Sequence, residues 1–483
     1  MITWQDYEKA ENKAKWIGEA IARYMRSDDY KNAVIEEDYE AGMDTTIRDN
    51  VRVIYELTGV AVPDFTSANN KISSNIYHRL NTQRAAYLCG NGITFASATE
   101  DVRDGKMVKV DATKDELGPD FDRAIYRAYY WALCNGVSYT FVHKGATKDK
   151  WEFDLFKKSE FLPLPDEETG LLRGGIRFWS LEWNKRPITA VLYTDGGIIK
   201  YRTKPGRYGL SALEKVEDLK PYRETVQESA ADGLEVVDAS NYSTLPIFPL
   251  SLNDRKLSTL VFLRPLIDAT DMILSGLAND MQDCAQMYWT INNAMGMDDA
   301  ALTQLRDRIK FLHMAAVDEQ SGVSINPVTQ EPPYQARQNG IAEINNKIYG
   351  EFGALDVHVI AAGSTNDHIE AAYKPMDEEA DDAEYHLIKF IQNILDTMLG
   401  IDDTPVFKRS RISNEKELTE MIMLAADYLD DETVLNLLPF VSVDQVANIL
   451  AKKDEENDAR FKKVPPENED ETPDETDQDE VEE

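Results

Sequence analysis

The densest group of side chains that could do chemistry is a run of carboxylates, Asp377, Glu378, Glu379, Asp381, Asp382 and Glu384. On a helix, Asp377, Asp381 and Glu384 would share one face and could hold a hard cation such as Mg²⁺ or Ca²⁺. The alternative is that carboxylates favour the positive end of a helix that begins there. We favour this alternative, because a metal nuclease needs basic neighbours to hold phosphate and only Lys374 is near.

Two short basic clusters stand out against the acidic background. They consist of Arg306, Arg308 and Lys310, and of Lys408, Arg409 and Arg411. In an acidic protein such clusters are suited to pairing with acidic surfaces, on a neighbouring copy or on another protein. A plain solvated surface is the alternative for each.

Motifs typical of enzymes are missing. The sequence has no glycine-rich loop followed by Lys-Ser/Thr, no paired-histidine zinc helix and no glycine-flanked nucleophilic serine. Its six histidines are scattered, and its three cysteines match no metal or disulfide spacing, so we expect them to be reduced. The sequence therefore predicts a protein that is not an enzyme and that needs no cofactor and no metal.

Charge and hydropathy exclude further classes. The net charge is −35, of which the last 19 residues contribute −11, so the remainder still carries −24. Tight DNA binding works through cations that displace counterions, and this chain has too few of them to grip DNA. We expect no membrane span, since no run of 18 apolar residues occurs, and no secretion signal at the amino terminus.

Two apolar-striped helices are predicted between Asp254 and Phe352, with a small αβ unit between them. Apolar residues recur at helical spacing in both, including Ile273, Leu277, Met281 and Tyr288 in the first and Ile341, Ile344 and Ile348 in the second. Neither helix can bury its stripe alone, so we expect identical copies beside it. Pro265 predicts a break or kink near Leu263.

The rest of the chain mixes helices with a β region. Helical patterns cover Thr3–Tyr55, Ile72–Tyr87 and Phe121–Leu133, and a period of two then predicts an antiparallel meander with a partly solvated face. That meander includes a hairpin at Asp195-Gly196-Gly197, and Leu245–Pro249 is an extended lead-in. A strand-like His368–Tyr373, a long helix over Ala380–Met398 and a cap of short helices follow. The fold class is α+β, mostly helical.

Four segments carry a resemblance to a known family. They are Asn70–Gly90, the stem-like Leu266–Asp280, the pair Pro332–Arg337 with Ile348–Gly353, and Ala372–Asp377. Their order and spacing resemble tailed-bacteriophage portal proteins, of the type found in long-tailed Bacillus siphophages, over roughly residues 70 to 400. Asn366–Ile369 departs from the family's small-residue element, and Pro265 is unusual within the stem.

The resemblance implies a portal fold that assembles as a cyclic ring. Its parts would be a wing (1–253), a first stem helix (254–288), a clip (289–331), a second stem helix (332–352), a tunnel loop (353–368), a long wing helix (369–404), a helical crown (405–463) and a disordered acidic tail (464–483). Six stem residues, Ile273, Leu277, Met281, Ile341, Ile344 and Ile348, would pack the stems.

The resemblance also implies a function and partners. The chain would form a ring, expected to be a dodecamer, at one capsid vertex of the virion after assembly in the host cytoplasm. It would dock the terminase large subunit for genome packaging and later a head-completion or adaptor protein, contact the major capsid and scaffolding proteins, and pass double-stranded DNA without sequence-specific binding. The alternatives are a non-portal virion connector or scaffold ring, and a metal-dependent nuclease.

Two surfaces follow from this assignment. The clip residues Arg306, Arg308 and Lys310 would face the terminase. The loop Ala354–Thr365 would point at the ring axis, with DNA-facing residues Leu355, Val357, His358, Ile360, Ser364 and Thr365. This loop has no Lys or Arg, so DNA could pass it without lasting phosphate contacts.

Overall fold

The computed structural model describes most of the chain up to residue 453. The described residues are 2–55, 59–65, 67–103, 106–145, 150–180, 187–204, 209–229, 233–284, 288–292, 300, 304, 324–328, 334–356, 365–411, 415–438, 441, 446 and 449–453. They fall into two compact units. The first is Met1–Ala98, Asp111–Val359 and Ala372–Arg411, and the second is Thr99–Val110, Ile360–Ala371 and Ile412–Glu483.

The amino-terminal third of the first unit is largely helical, as the sequence predicted. Its helices are α1 (Trp4–Lys9), α2 (Lys13–Arg26), α3 (Asp28–Glu40), α4 (Thr45–Asp49), α5 (Ile76–Cys89), α6 (Ala112–Leu117) and α7 (Phe121–Asn135). Local chemistry fixes their ends: Thr3 forms a capping box with Asp6, and Gly136 ends α7 in the left-handed conformation. The predicted helical stretch nevertheless ends in a strand at Val53–Tyr55.

The β region forms small antiparallel sheets. The strands are β1 (Val53–Tyr55), β2 (Ala61–Pro63), β3 (Ile93–Phe95), β4 (Thr99–Arg103), β5 (Lys106–Val110), β6 (Val137–Lys144), β7 (Trp151–Phe156), β8 (Phe161–Pro165), β9 (Leu172–Ser180), β10 (Ile188–Thr194), β11 (Gly197–Thr203), β12 (Leu213–Lys220), β13 (Arg223–Ser229), β14 (Gly233–Ser240), β15 (Ile247–Ser251), β16 (Tyr288–Asn292), β17 (Ser324–Val328) and β18 (Pro405–Phe407).

The predicted single meander is divided between two sheets. One has the order β12-β11-β10-β9-β8, and the other has β15-β6-β7. The two-residue turn at Asp195-Gly196 is confirmed by the pairing of Thr194 with Gly197. The lead-in at 245–249 is extended as predicted, and part of it joins β15, which pairs with β6.

The five-stranded sheet is buried on both faces at its centre, which corrects the prediction of a solvated face. Ala190 and Leu192 pack with α1 and α2 in one core, whereas Val191 and Tyr193 pack in a second core with residues of β6. Successive side chains of a strand point to opposite faces, so β10 contributes to both cores. Apolar residues on both sides hide the alternation that marks a half-exposed strand.

Two long helices lie in the first unit, and a third lies in it from residue 372 onward. Helices α8 (Leu260–Cys284) and α9 (Tyr334–Phe352) match the predicted stems, although α8 ends before Tyr288, which lies in β16. Helix α8 is continuous through Pro265, so the predicted break is wrong. Helix α10 (Asn366–Ile394) begins earlier than predicted and replaces the strand-like segment 368–373. It continues as a π-helical turn, Leu395–Leu399, which Gly400 ends.

The second unit holds the predicted cap helices, here α11 (Glu415–Ala425) and α12 (Asp431–Leu437), and the hairpin of β4 and β5. Residues 405–411 belong instead to the first unit, where β18 pairs with β3. The predicted crown therefore begins after residue 411. The acidic tail lies outside the described residues.

Candidate functional site

The segment that follows α9, the second stem-like helix, begins at a well-defined turn. Gly353 ends α9 with φ +66°, and the Ala354 N–H donates to the Tyr349 carbonyl at 3.0 Å. A Cβ atom at Gly353 would lie 3.2 Å from the Pro375 carbonyl oxygen on α10. Glycine is therefore required here both by the backbone angle and by the close approach of α10.

A buried arginine holds this helix end in place. Arg84 of α5 is 7% exposed, its guanidinium lies 4.0 Å from the centre of the Phe352 ring, and it donates to the Phe352 carbonyl. Its Nη1 also pairs with Glu379 Oε2 of α10 at 3.1 Å. A cation at a helix carboxyl terminus satisfies carbonyls that have no partner within the helix. Arg84 thus ties α5, α9 and α10 together where the loop begins.

The start of the loop is attached as well, which corrects one prediction. The Leu355 side chain is only 5% exposed, and its carbonyl accepts from Gln83 Nε2 at 2.9 Å. Leu355 thus packs inside its own chain and does not present its side chain to a channel. Thr365 is exposed, just before α10. Val357, His358, Ile360 and Ser364 lie outside the described residues, so their predicted role stays a prediction.

The carboxylate run that could have bound a metal is paired with arginines of its own chain. Asp377, Asp381 and Glu384 do share one face of α10, as predicted, and all three contact Arg409. Arg409 Nη1 lies 2.9 Å from Asp377 and Nη2 lies 3.0 Å from Glu384, while Arg411 Nη2 lies 2.6 Å from Asp377. Tyr87 of α5 donates a further hydrogen bond to Asp377.

These contacts overturn both explanations offered from the sequence. Helix α10 begins at Asn366, so the acids lie too far along it to benefit from its positive end. Among the described residues no group of three or more His, Cys, Asp or Glu is arranged to hold a metal. The second basic cluster finds its acidic partner inside the chain, through Arg409 and Arg411. This carboxylate cluster therefore gives no support to the nuclease alternative.

The pairing also sets the protonation of Asp377. Burial alone would raise the pKa of this carboxyl, but hydrogen bonds from Tyr87, Arg411 and Arg409 outweigh it and hold the pKa below the ordinary 3.8. For Arg409, burial would lower the pKa, yet its contacts with Asp381, Glu384 and Asp377 raise it instead. Both partners are therefore charged at neutral pH.

The two stem-like helices pack against each other within one chain, contrary to the expectation that only other copies would cover them. Arg337 Nη2 of α9 pairs with Asp280 Oδ2 of α8 at 2.6 Å, and Gly276 lies beside the same guanidinium. Coverage of the six stem residues is uneven: Ile348 is buried, Met281 is 60% exposed, and the partly buried ones are Ile273, Leu277, Ile341 and Ile344. A substantial apolar surface on α8 stays open in the single chain.

The predicted clip is described only at its base. Tyr288–Asn292 pairs antiparallel with Ser324–Val328, so the described part of the predicted αβ unit is a two-stranded ladder. Arg306, Arg308 and Lys310 lie outside the described residues. In the described part of the chain, no helix is long and apolar enough to cross a membrane.

Sequence reasoning missed the residues that fix the loop's origin. Arg84 and Gln83 lie in a helix that was predicted. Nothing in their spacing indicated that Arg84 would contact Phe352 or that Gln83 would contact Leu355, both more than 260 positions later in the chain. The available signal was weak: Arg84 lies among apolar residues of α5, where a buried cation requires a partner.

Comparison with known proteins gives consistent results. The family model described as "Phage portal protein, SPP1 Gp6-like" matches residues 19–459. The portal protein of Bacillus phage SPP1 is 22% identical over 413 residues, covering 81% of this chain and 77% of that protein. The portal protein of Clostridium phage phiCD119 is 21% identical over 298 residues, covering 59% of this chain and 60% of that protein.

Solved structures similar to this chain include the neck of a native gene transfer agent particle computed with C12 symmetry. It is 11% identical, covers 75% of this chain and 89% of that chain, and has a TM-score of 0.41. The neck of the empty particle, computed with C6 symmetry, is 10% identical. The match covers 76% of this chain and 90% of that chain, with a TM-score of 0.43.

Proposed function

The chain belongs to the SPP1 Gp6-like family of phage portal proteins, and from that premise we propose that it forms the ring-shaped DNA conduit at one capsid vertex. The observation that carries the proposal is the family match over residues 19–459, which spans both stem helices and everything between them. In this role the chain sits in the virion after assembly in the host cytoplasm and hydrolyses no nucleotide itself.

Ring formation is supported by the open apolar surface of α8. Met272 and Met281 are both exposed in the single chain although α9 covers part of the same helix. A repeated heterologous contact around an axis closes into a ring. We expect annular particles with a central hole in negative-stain images of purified protein, with a dodecamer as the expected size. A folded monomer at micromolar concentration in every salt condition would count against the proposal.

The clip, residues 289–331, is proposed as the docking surface for the terminase large subunit and later for a head-completion protein. The described base of this region is the β16–β17 ladder, in which Tyr288–Asn292 pairs with Ser324–Val328. Charge reversal of Arg306 and Arg308 should weaken terminase capture and leave rings intact. The same reversal of Arg23 and Arg26, on α2 and remote in sequence, is the control. Disassembled rings would place the clip arginines at a subunit interface.

The tunnel loop is proposed to line the narrowest part of the channel through residues 357–364. Its origin at Gly353 is fixed by Arg84, and its sequence carries no Lys or Arg. Val357→Lys with Ile360→Lys should add cationic rings that hold the DNA backbone. Packaging should then fall while rings still form, whereas V357S with I360S should package normally. Normal packaging by the lysine variant would exclude this loop from the channel.

A further inference from the structure

Asp44 and Asp271 form a buried pair of carboxylates in the first unit. Asp44 is 1% exposed and Asp271 is 0% exposed, and their side chains are close enough to hydrogen-bond each other if one carried a proton. No Lys or Arg of the described residues pairs with the Asp44 carboxylate or with Asp271 Oδ2. Two buried carboxylates without a countercharge are costly to a fold, so something must neutralise them.

The oxygens around this pair are unusually short of partners. Thirteen buried side-chain nitrogen and oxygen atoms of the described residues have no hydrogen-bond partner, and four of them belong to Asp44, Asp271 and the adjacent Ser74. They are both carboxylate oxygens of Asp44, Asp271 Oδ2 and Ser74 Oγ. Buried polar atoms without partners, concentrated in one place, call for a specific explanation such as a bound ion.

Asp44 also lacks the capping hydrogen bond that is usual for an aspartate at its position. It is the residue before α4, where an aspartate normally accepts from backbone amides of the first turn, but its side chain makes no such bond. Its carboxyl group lies beside that of Asp271 instead. The backbone frame is fixed, because the Asp44 N–H donates to Ser73 Oγ at 3.2 Å and the Ser74 N–H donates to Asp271 Oδ1 at 3.1 Å.

A neighbouring carboxylate provides the contrast. Asp268 lies one turn earlier on α8 and accepts hydrogen bonds from Thr46 Oγ1, at 2.9 Å, and from the Tyr39 hydroxyl. It also lies 3.8 Å from Arg264 Nε. The fold therefore supplies Asp268 with two hydroxyl donors and a nearby arginine, whereas three of the four carboxylate oxygens of the adjacent pair have no donor among the described residues.

We propose that Asp44, Asp271 and Ser74 bind one divalent, oxygen-preferring cation, Ca²⁺ or Mg²⁺, that joins the first stem helix to the amino-terminal helices. Two carboxylates balance the charge of one divalent ion. Carboxylate and hydroxyl oxygens are the ligands these ions use, and water fills the remaining positions, more of them for Mg²⁺ than for Ca²⁺. The site links α8 to residues 44 and 74 and is independent of the function proposed above.

The experiment uses the full-length protein freed of metal with EDTA and dialysed at pH 7.5. Thermal unfolding is followed with added CaCl2, MgCl2 or NaCl at equal ionic strength, and binding is measured by titration calorimetry. We expect saturating Ca²⁺ or Mg²⁺, but not Na⁺, to raise Tm by roughly 3 °C or more, with one site per chain. The ion with the larger shift at equal concentration identifies the preferred cation.

Asp271→Asn is the decisive variant. Its amide can donate to Asp44, so without metal we expect it to be at least as stable as the unaltered protein, but with no response to either cation. Asp382→Asn, which removes an exposed carboxylate of α10, should keep the full response. Equal shifts in all three proteins would place cation binding elsewhere. No cation-dependent shift in the unaltered protein would mean that a proton neutralises the pair, and either result overturns the proposal.

Discussion

At the scale of single residues, the junction of α5, α9 and α10 depends on one buried cation. Arg84 contacts the last residue of α9 through both the ring and the carbonyl of Phe352, and it reaches α10 through Glu379. Its Nε nitrogen has no hydrogen-bond partner among the described residues. A residue so placed holds the carboxyl end of α9, from which the proposed tunnel loop starts.

Replacing Arg84 with methionine should therefore destabilise the protein. The change keeps most of the side-chain volume but removes the donors to the Phe352 carbonyl, which costs about 1–3 kcal/mol of unfolding free energy. Urea unfolding measures the loss. Lys374→Met, which removes an exposed cation of α10, is the control and should stay within about 0.5 kcal/mol of the unaltered protein. Equal losses in both variants would show that Arg84 has no special role.

The Asp377 network predicts a pH dependence. Because the folded-state pKa of Asp377 lies below 3.8, its ionised form stabilises the fold above that pH, and this contribution is lost as the pH falls below it. We expect Asp377→Asn to be less stable than the unaltered protein at neutral pH. The difference should shrink toward zero as the pH drops through the region below 3.8. Thermal unfolding across pH checks this, and a difference independent of pH would contradict it.

At the scale of elements, the junction between α9 and the proposed tunnel loop needs one specific glycine. Gly353 has a positive φ and faces α10 closely, whereas Gly350 lies within the helix with nothing within 4 Å of an added Cβ. The two glycines lie three residues apart, so each serves as the control for the other.

Gly353→Ala should cost about 1–2 kcal/mol of unfolding free energy, since alanine is strained at φ +66° and must displace its neighbours. Gly350→Ala should be neutral or stabilising by up to about 1 kcal/mol, because alanine favours the helix. Chemical denaturation compares the two. If both changes had the same sign, the turn at Gly353 would not be the feature that ends the helix.

At the scale of the whole molecule, buried and exposed parts of the stem helices should separate folding from assembly. Ile348 is buried within the chain, whereas Met272 and Met281 are exposed. The exposed methionines are available to a neighbouring copy, and the buried isoleucine is not.

Changing Met272 and Met281 to aspartate should leave the unfolding free energy of the single chain within about 1 kcal/mol. It should nevertheless reduce the fraction of the protein that assembles into rings, because two charges would enter an apolar contact between neighbouring copies. Ile348→Ala should instead lower the unfolding free energy of the single chain, by about 2–5 kcal/mol. Mass photometry and thermal unfolding separate the two effects. Intact rings in the methionine variant would move the subunit contact off this face of α8.

The sequence by itself determined the elements whose signals are local. The periodicity of apolar residues located α7, α8, α9 and most of α10, and a glycine turn located the hairpin of β10 and β11. Segment order over roughly residues 70 to 400 was enough to indicate the portal family, and the family match confirms it. These features depend on residues within a few positions of each other or on their order along the chain.

Which side chains meet across the fold became clear from the three-dimensional contacts alone. The carboxylates of α10 looked like a metal site or a helix-end effect until Arg409, 25 to 32 residues away, was found among them. Leu355 looked like a channel residue until Gln83 fixed its backbone inside the chain, and Asp44 met Asp271 across 227 positions, although neither stood out in the sequence. The physical reason is that a charge is neutralised by whatever the fold brings within a few ångströms, and sequence spacing carries no record of such distances.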